Sequence, residues 1–398
     1  MRRAGRHFLQ LPGPSNVPDR VLAAMHRNTI DHRGPEFQAL GLRVLEGLRH
    51  LFGTEGRVFL YPSSATGAWE AALANTLSPG ARVLVFERGF FAEQWGRVAA
   101  RLGLDVVAVP GDWRRGVTAD DLHAALATDP DRRIAAVLVV HNETSTGVTT
   151  DLAALRPVLD ALAHPALLMA DTVSSLAACD YRHDAWGIDV CVSGSQKALM
   201  LPPGLAFVAA GPRALAAAAS ATAPRSYWSW SEQTRFNDEG FFPYTPATGL
   251  LFGLDEALTL LAQEGLPAVF ARHARHAAAA RAAVEAWDLE CFAERAHERS
   301  VAATTVLLPA GHSADALRSV ILERCDMSIG GGLGRLADRV IRIGHLGDFN
   351  DVMLLGTLGG VELGLRVAGI PHRPGGAQAA LALLADTAPH GVDSTALG

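Results

Sequence analysis

At 398 residues the chain exceeds the ~250–300 residues over which a single hydrophobic core usually grows, so two domains are expected. Hydrophobic residues make up 49% and charged residues 19%, which excludes a disordered chain, and a formal net charge of −6 gives no electrostatic reason to bind nucleic acid or an anionic membrane. Cys179, Cys191, Cys291 and Cys325 are scattered with no C-x-x-C pair, which fits a reducing, cytoplasmic setting; no apolar run approaches a membrane span, and the basic opening lacks the core of a signal peptide.

Taken in order, short apolar runs alternate with helical patterns. Strands are predicted at 57–62, 82–86, 105–110, 134–140, 166–170, 190–194 and 204–210. Helices are predicted between them at 67–77, 91–103 and 151–163. Such alternation means βαβ units and a mostly parallel sheet, an α/β fold whose ligands sit at the carboxyl ends of the strands. The character changes near residue 264. A long helical pattern over 267–287 leads into a strand near 301–308, a helix near 313–324, a strand near 339–347 and a helix near 351–369. The expected organisation is an N-terminal arm (1–20), a large domain (21–264), a smaller α+β C-terminal domain (265–385) and a flexible tail (386–398).

Polar residues fall at the ends of four predicted strands. Ser63-Ser64-Ala65-Thr66-Gly67 opens a helix, where backbone N–H groups make a phosphate site or an ordinary N-cap. "HNETSTGV" (141–148) is a polar loop. Asp171 ends one strand, and Ser195-Gln196-Lys197 follows another. Between Val190 and Gly211 there is no Asp, Glu, Arg or His, so Lys197 stands alone among apolar neighbours. Such a lysine either snorkels to water or is desolvated, with its pKa lowered into a usable range. Asp171 alone reads as a helix cap. Together with a phosphate cup, however, an acid and an isolated lysine are what pyridoxal phosphate requires: a Schiff-base lysine and a partner for the pyridinium nitrogen.

The stretches "LPGPSNVP" (11–18), "IDHRGPEF" (30–37), "HNETSTGV" (141–148), "ADTVSS" (170–175), "GSQKALMLPPGLAFV" (194–208), "PYTPATGLLFGLDEAL" (243–258), "EGLPAVFARH" (264–273) and "IRIGHLGDFN" (341–350) occur in order across nearly the whole chain. In these the sequence resembles fold-type I pyridoxal-phosphate enzymes of aminotransferase class V, and within them the serine–, alanine– and aspartate–glyoxylate aminotransferases. The resemblance implies a catalytic Schiff-base lysine at Lys197 and a pyridinium partner at Asp171. It implies that Ser64, Ala65, Thr66 and Gln196 hold the phosphate, that Phe91 stacks on the ring with Val173 on its other face, and that Thr144 lies near the phenolic oxygen. Arg342 would bind the substrate α-carboxylate, a role its planar guanidinium suits; alone it reads as a strand residue paired with an acid. Thr245 would reach the phosphate of a partner subunit in a homodimer with shared active sites. Phe242 departs from relatives that carry tyrosine there, and a phenyl ring cannot donate to phosphate.

The implied activity is transamination of serine, alanine or aspartate with glyoxylate, giving a 2-oxo acid and glycine. Another donor such as ureidoglycine, or a cysteine desulfurase using Cys325, are the alternatives. A non-catalytic relative would be expected to have lost Lys197, Asp171 or Arg342. "GGGLG" (330–334) is not a dinucleotide fingerprint; it either brings backbone close to the site or makes a turn. His273 and His276 are expected to be solvated rather than metal ligands. His32 is expected either to line the partner's pocket or to serve structure.

Overall fold

The computed structural model describes residues 5–387. A first strand β1 (Phe8–Gln10) precedes helices α1 (Asp19–Met25) and α2 (Pro35–Phe52). The alternating region follows as β2 (Arg57–Tyr61), α3 (Ala65–Thr76), β3 (Arg82–Glu87), α4 (Phe90–Arg101), β4 (Asp105–Pro110), α5 (Ala119–Ala127) and β5 (Ile134–Val140). Two short strands, β6 (Asn142–Glu143) and β7 (Val148–Thr149), form a hairpin ahead of α6 (Arg156–Ala161), β8 (Leu167–Asp171), β9 (Val190–Gly194) and β10 (Ala206–Ala210). Helices α7 (Pro212–Ser220), α8 (Trp230–Asn237), α9 (Thr248–Glu264) and α10 (Leu266–Ala286) come next. The chain continues through β11 (Glu290–Cys291), β12 (Ala303–Leu307), α11 (Ala314–Cys325), β13 (Met327–Gly331), β14 (Val340–Gly344), α12 (Asp351–Val367) and α13 (Gly376–Asp386).

All seven strands anticipated in the first half join one sheet, ordered β2-β10-β9-β8-β5-β3-β4. The pairs β9/β8, β8/β5, β5/β3 and β3/β4 are parallel, and only β10 runs against its neighbours. The inner strands are buried along their length because helices cover both faces, which is why they read as unbroken apolar runs rather than alternating ones. Phe37, Leu48 and Phe52 of α2 pack on one face and Trp69 and Trp95 on the other. A second sheet is ordered β1-β13-β14-β12-β11. Its edge strand β1 comes from the stretch expected as the N-terminal arm and pairs parallel with β13.

The helix expected over 151–163 is broken. Leu152–Ala154 is a single tight turn, and α6 begins at Arg156 with a proline in its first turn. Pro157 lacks an N–H to bond back into a preceding turn, so one continuous helix cannot form. Of the expected tail, Asp386 ends α13; residues 388–398 lie outside the described residues.

His273 and His276 are not solvated: both are buried, on the inner face of α10. His273 Nδ1 donates to the Val269 carbonyl at 2.7 Å and Nε2 accepts the Gly347 N–H at 3.1 Å, so the ring is a neutral bridge, and burial pushes its pKa down to about 3. His276 Nε2 meets Asp351 at 3.0 Å. The error came from reading polarity as exposure on a helix that alanine leaves weakly amphipathic. Among the described residues no helix is long and apolar enough to cross a membrane, and the four cysteines are free thiols.

Between the sheets, the segment Leu11–Ser15 passes over the end of β14. A Cβ on Gly344 would lie 2.0 Å from the Leu11 carbonyl oxygen. Gly344→Ala should therefore displace this segment and cost about 1–3 kcal/mol, as other overpacked sites do. Thermal unfolding checks it, and an unchanged midpoint refutes the close approach.

Candidate active site

A cavity of about 290 Å³ opens at the carboxyl ends of β2, β5, β8 and β9, where parallel sheets place their ligands. Ser64, Ala65, Thr66, Phe91, Thr144, Asp171, Val173, Gln196 and Lys197 all line it. Thr245 does not; it is exposed on the segment before α9. Arg342, on β14 of the second sheet, is not among the lining residues and meets the cavity wall through the Thr144 carbonyl.

Each wall follows from local structure. Ser64 is the N-cap of α3, in extended conformation, and no side chain caps the helix start. The N–H groups of Ala65 and Thr66 are then left for an anion, while that of Gly67 donates to the Ser64 carbonyl at 2.9 Å. Gly67 has no room for a side chain, since a Cβ would lie 2.1 Å from Ser63 Oγ.

Phe91 sits in the first turn of α4, and its position depends on Glu143. The buried Glu143 carboxylate accepts the N–H groups of Phe91 at 3.0 Å and Ala92 at 3.2 Å, and from Ser145 the N–H at 3.0 Å and the hydroxyl at 2.6 Å. Burial raises its pKa, and these donors oppose that rise. A Cβ on Gly89 would lie 2.2 Å from Glu143 Cγ, so the glycine ahead of α4 is what admits the carboxylate.

Asp171 ends β8, fully enclosed. One carboxylate oxygen accepts the Val173 N–H and the other the indole N–H of Trp69, each at 2.8 Å. Burial pushes the carboxyl up to about 7, against the pull of those two donors. Lys197 lies in the turn after β9. Its amine donates to the Pro12 carbonyl, and Ser15 Oγ donates to the Lys197 carbonyl at 2.7 Å. Burial first, then the charge of Arg342, lowers the amine to about 8.

Arg342 is oriented by backbone. Its Nε donates to the Gly331 carbonyl at 2.7 Å and one Nη to the Thr144 carbonyl at 3.1 Å. Burial brings it down to about 10, so it stays cationic at neutral pH. Of "GGGLG", Gly330 lets β13 pass close to Pro12 and Arg342, Gly331 lies against the Arg318 guanidinium, and Gly332 turns back against Leu336.

Sequence reasoning missed Trp69, Glu143 and the covering role of Pro12–Pro14. One signal was available: Lys197 is the only lysine in the chain, the other 34 basic residues being arginine. Cys325, which a desulfurase would need, ends α11 against Gly360 of α12, away from the cavity lining.

The family model of aminotransferase class V matches residues 7–332. The chain belongs to this family. It is 43% identical to a serine–glyoxylate aminotransferase of Methylorubrum extorquens over 95% of this chain and 96% of that one. It is 43% identical to an L-aspartate–glyoxylate aminotransferase of Paracoccus denitrificans over 93% and 94%. The solved ureidoglycine–glyoxylate aminotransferase of Bacillus subtilis superposes with a TM-score of 0.88 at 27% identity, covering 96% of this chain and 99% of that one. The fold is that of fold-type I aminotransferases, and the cofactor is pyridoxal 5′-phosphate. The residues present fit that group: an uncapped helix start for its phosphate, a buried acid for its ring nitrogen, and a buried amine for its aldehyde.

The raised Asp171 carboxyl carries a stability signature. Its folded pKa lies above the unfolded value of about 3.9, so the stability tied to its proton is complete below about pH 4 and lost as pH rises toward 7. Cofactor-free Asp171→Asn should gain on the parent protein across that window, by at most about 1.4 kcal/mol per pH unit. Urea unfolding at a series of pH values measures it, and a pH-independent difference contradicts the assignment.

Proposed function

We propose that this chain transfers the amino group of an L-amino acid (serine, alanine or aspartate) to glyoxylate, releasing a 2-oxo acid and glycine. The observation that carries the reading is the enclosure of Lys197, Asp171 and the α3 start in one cavity, with Arg342 held beside it by two carbonyls. The names of relatives similar over nearly their full length support the acceptor and the donor class.

Pyridoxal phosphate, when bound, supplies an electron sink for negative charge developing at the substrate Cα. The chain's residues do the rest. The α3 start and Gln196 would hold the phosphate, Phe91 and Val173 would flank the ring, and Thr144 would serve its phenolic oxygen. Asp171 would hold a proton on the ring nitrogen through its carboxylate. Arg342 holds the substrate carboxylate through N–H groups not engaged by Gly331 and Thr144, which fixes the Cα–H bond. Lys197, its amine lowered to about 8, holds a neutral population near pH 7 that takes the Cα proton and returns it.

Lys197→Ala should abolish transamination in a folded protein. Because no other lysine exists, borohydride should no longer fix the cofactor to any side-chain amine. In the parent protein, serine, alanine, aspartate and ureidoglycine, each run beside its decarboxylated counterpart, rank the donors. Counterparts that react as fast as the acids rule out Arg342 as the carboxylate anchor, and an active Lys197→Ala ends the whole reading.

We further propose a homodimer in which Thr245 serves the partner's phosphate. Its exposure, away from its own chain's cavity, supports this. Thr245→Glu would set a negative charge against that phosphate. Mixed Lys197→Ala and Thr245→Glu chains should regain activity, since a heterodimer then carries one intact site. Subunit exchange without recovery, or a monomeric active species, rejects the shared site.

A further inference from the structure

We propose that Trp69 is a positioning residue for the cofactor's ring nitrogen, acting through Asp171. The inference rests on reading Asp171 as the ring-nitrogen partner and adds a residue to it. Trp69 is buried on α3, five positions beyond the Ser64 cap, and lines the same cavity as Asp171 and Lys197. Its indole N–H meets Asp171 Oδ2 at 2.8 Å, while the Val173 N–H meets Oδ1 at 2.8 Å.

The chemistry of the two donors decides what they do. An indole N–H and a backbone N–H donate and cannot accept. A proton on either carboxyl oxygen would find no acceptor in them, so both favour the ionised carboxylate. Both are neutral. An arginine in the place of Trp69 would also ionise Asp171, but would cancel the charge a protonated ring nitrogen needs. Neutral donors fix the carboxylate and leave its charge for the ring.

Trp69 is itself fixed. It stacks on Trp95 of α4 with ring centroids 5.8 Å apart and planes 14° from parallel. The α3 helix opens at the Ser64–Thr66 cup, and α4 opens at Phe91. One side chain thus ties the phosphate wall and the ring-stacking wall to the acid on β8. A packing role alone would explain the stack but not the aim of the N–H at the carboxylate.

The test compares apo-enzyme affinity for pyridoxal phosphate with affinity for its deaza analogue, in which C–H replaces the ring nitrogen. Trp69→Phe should weaken pyridoxal phosphate about tenfold, the low end for a hydrogen bond to a charged group. The analogue should weaken less than about twofold, since it has no nitrogen for Asp171 to hold. Equal weakening of both ligands, or of neither, overturns the proposal. Asp171→Asn serves as the reference. If it too fails to discriminate the ligands, the assignment of Asp171 itself falls; if it discriminates and Trp69→Phe does not, only the role of Trp69 falls. Should Trp69→Phe not fold, the indole N–H spectrum of the chain's seven tryptophans replaces it. One resonance should move upfield in Asp171→Asn as the charged acceptor is lost, and seven unmoved resonances overturn the proposal.

Discussion

A buried acid and a buried amine share one cavity without neutralising each other, and the site depends on that separation. For Asp171 and Lys197 alike, burial outweighs their mutual attraction: the carboxyl rises to about 7 and the amine falls to about 8. Each is served by neutral dipoles instead. The amine donates to the Pro12 carbonyl, and the carboxylate accepts from Trp69 and Val173. A direct ion pair would have stabilised both charges and left neither group free to react. Neutral partners satisfy the hydrogen bonds and keep both groups near their switching points at physiological pH.

The walls around that pair come from three parts of the chain, and glycine permits their approach. At Gly13, φ is +100°, and a Cβ would fall 2.3 Å from the Lys197 side chain, so only glycine lets the covering segment reach the amine. Gly330 allows Pro12 and Arg342 both to pack close against β13, where a Cβ would lie 2.9 Å from Pro12 and 3.0 Å from Arg342. The second sheet therefore contributes more than a neighbouring fold. Through Arg342 and the Thr144 carbonyl it is bonded to the same loop that carries Glu143, which in turn fixes Phe91.

The large sheet was legible because its strands are buried on both faces and so appear as uninterrupted apolar runs. The long α10 was legible as well, bounded by Gly265 and a proline in its first turn. Its buried face was not, since alanine packs inside and outside alike, and the two histidines sit inward against Asp351 and the 347 turn. Strand β1 was missed because three residues pair only through a partner more than 300 positions away. Lys197 and Asp171 stood out by isolation and position. Trp69 and Glu143 did not. A tryptophan in a helical pattern reads as core, and a glutamate in a polar loop reads as solvated. Their roles come from a contact 102 residues away for Trp69 and from a helix start 51 and 52 residues away for Glu143.

The basic residues follow the same logic. Arginine is never neutral in a protein and makes no Schiff base under these conditions, whereas an ε-amine reacts with an aldehyde once deprotonated. This chain places arginine in its surface and interior ion pairs and keeps its single lysine in the cavity. An exposed lysine near its ordinary pKa of about 10.4 is almost wholly protonated at pH 7, while an amine lowered to about 8 holds a neutral fraction near a tenth. Burial thus selects Lys197 by pKa, and composition removes every competing side-chain amine. Between them, aldehyde chemistry on this chain's lysines is confined to the one position where Asp171, the α3 start and Arg342 converge.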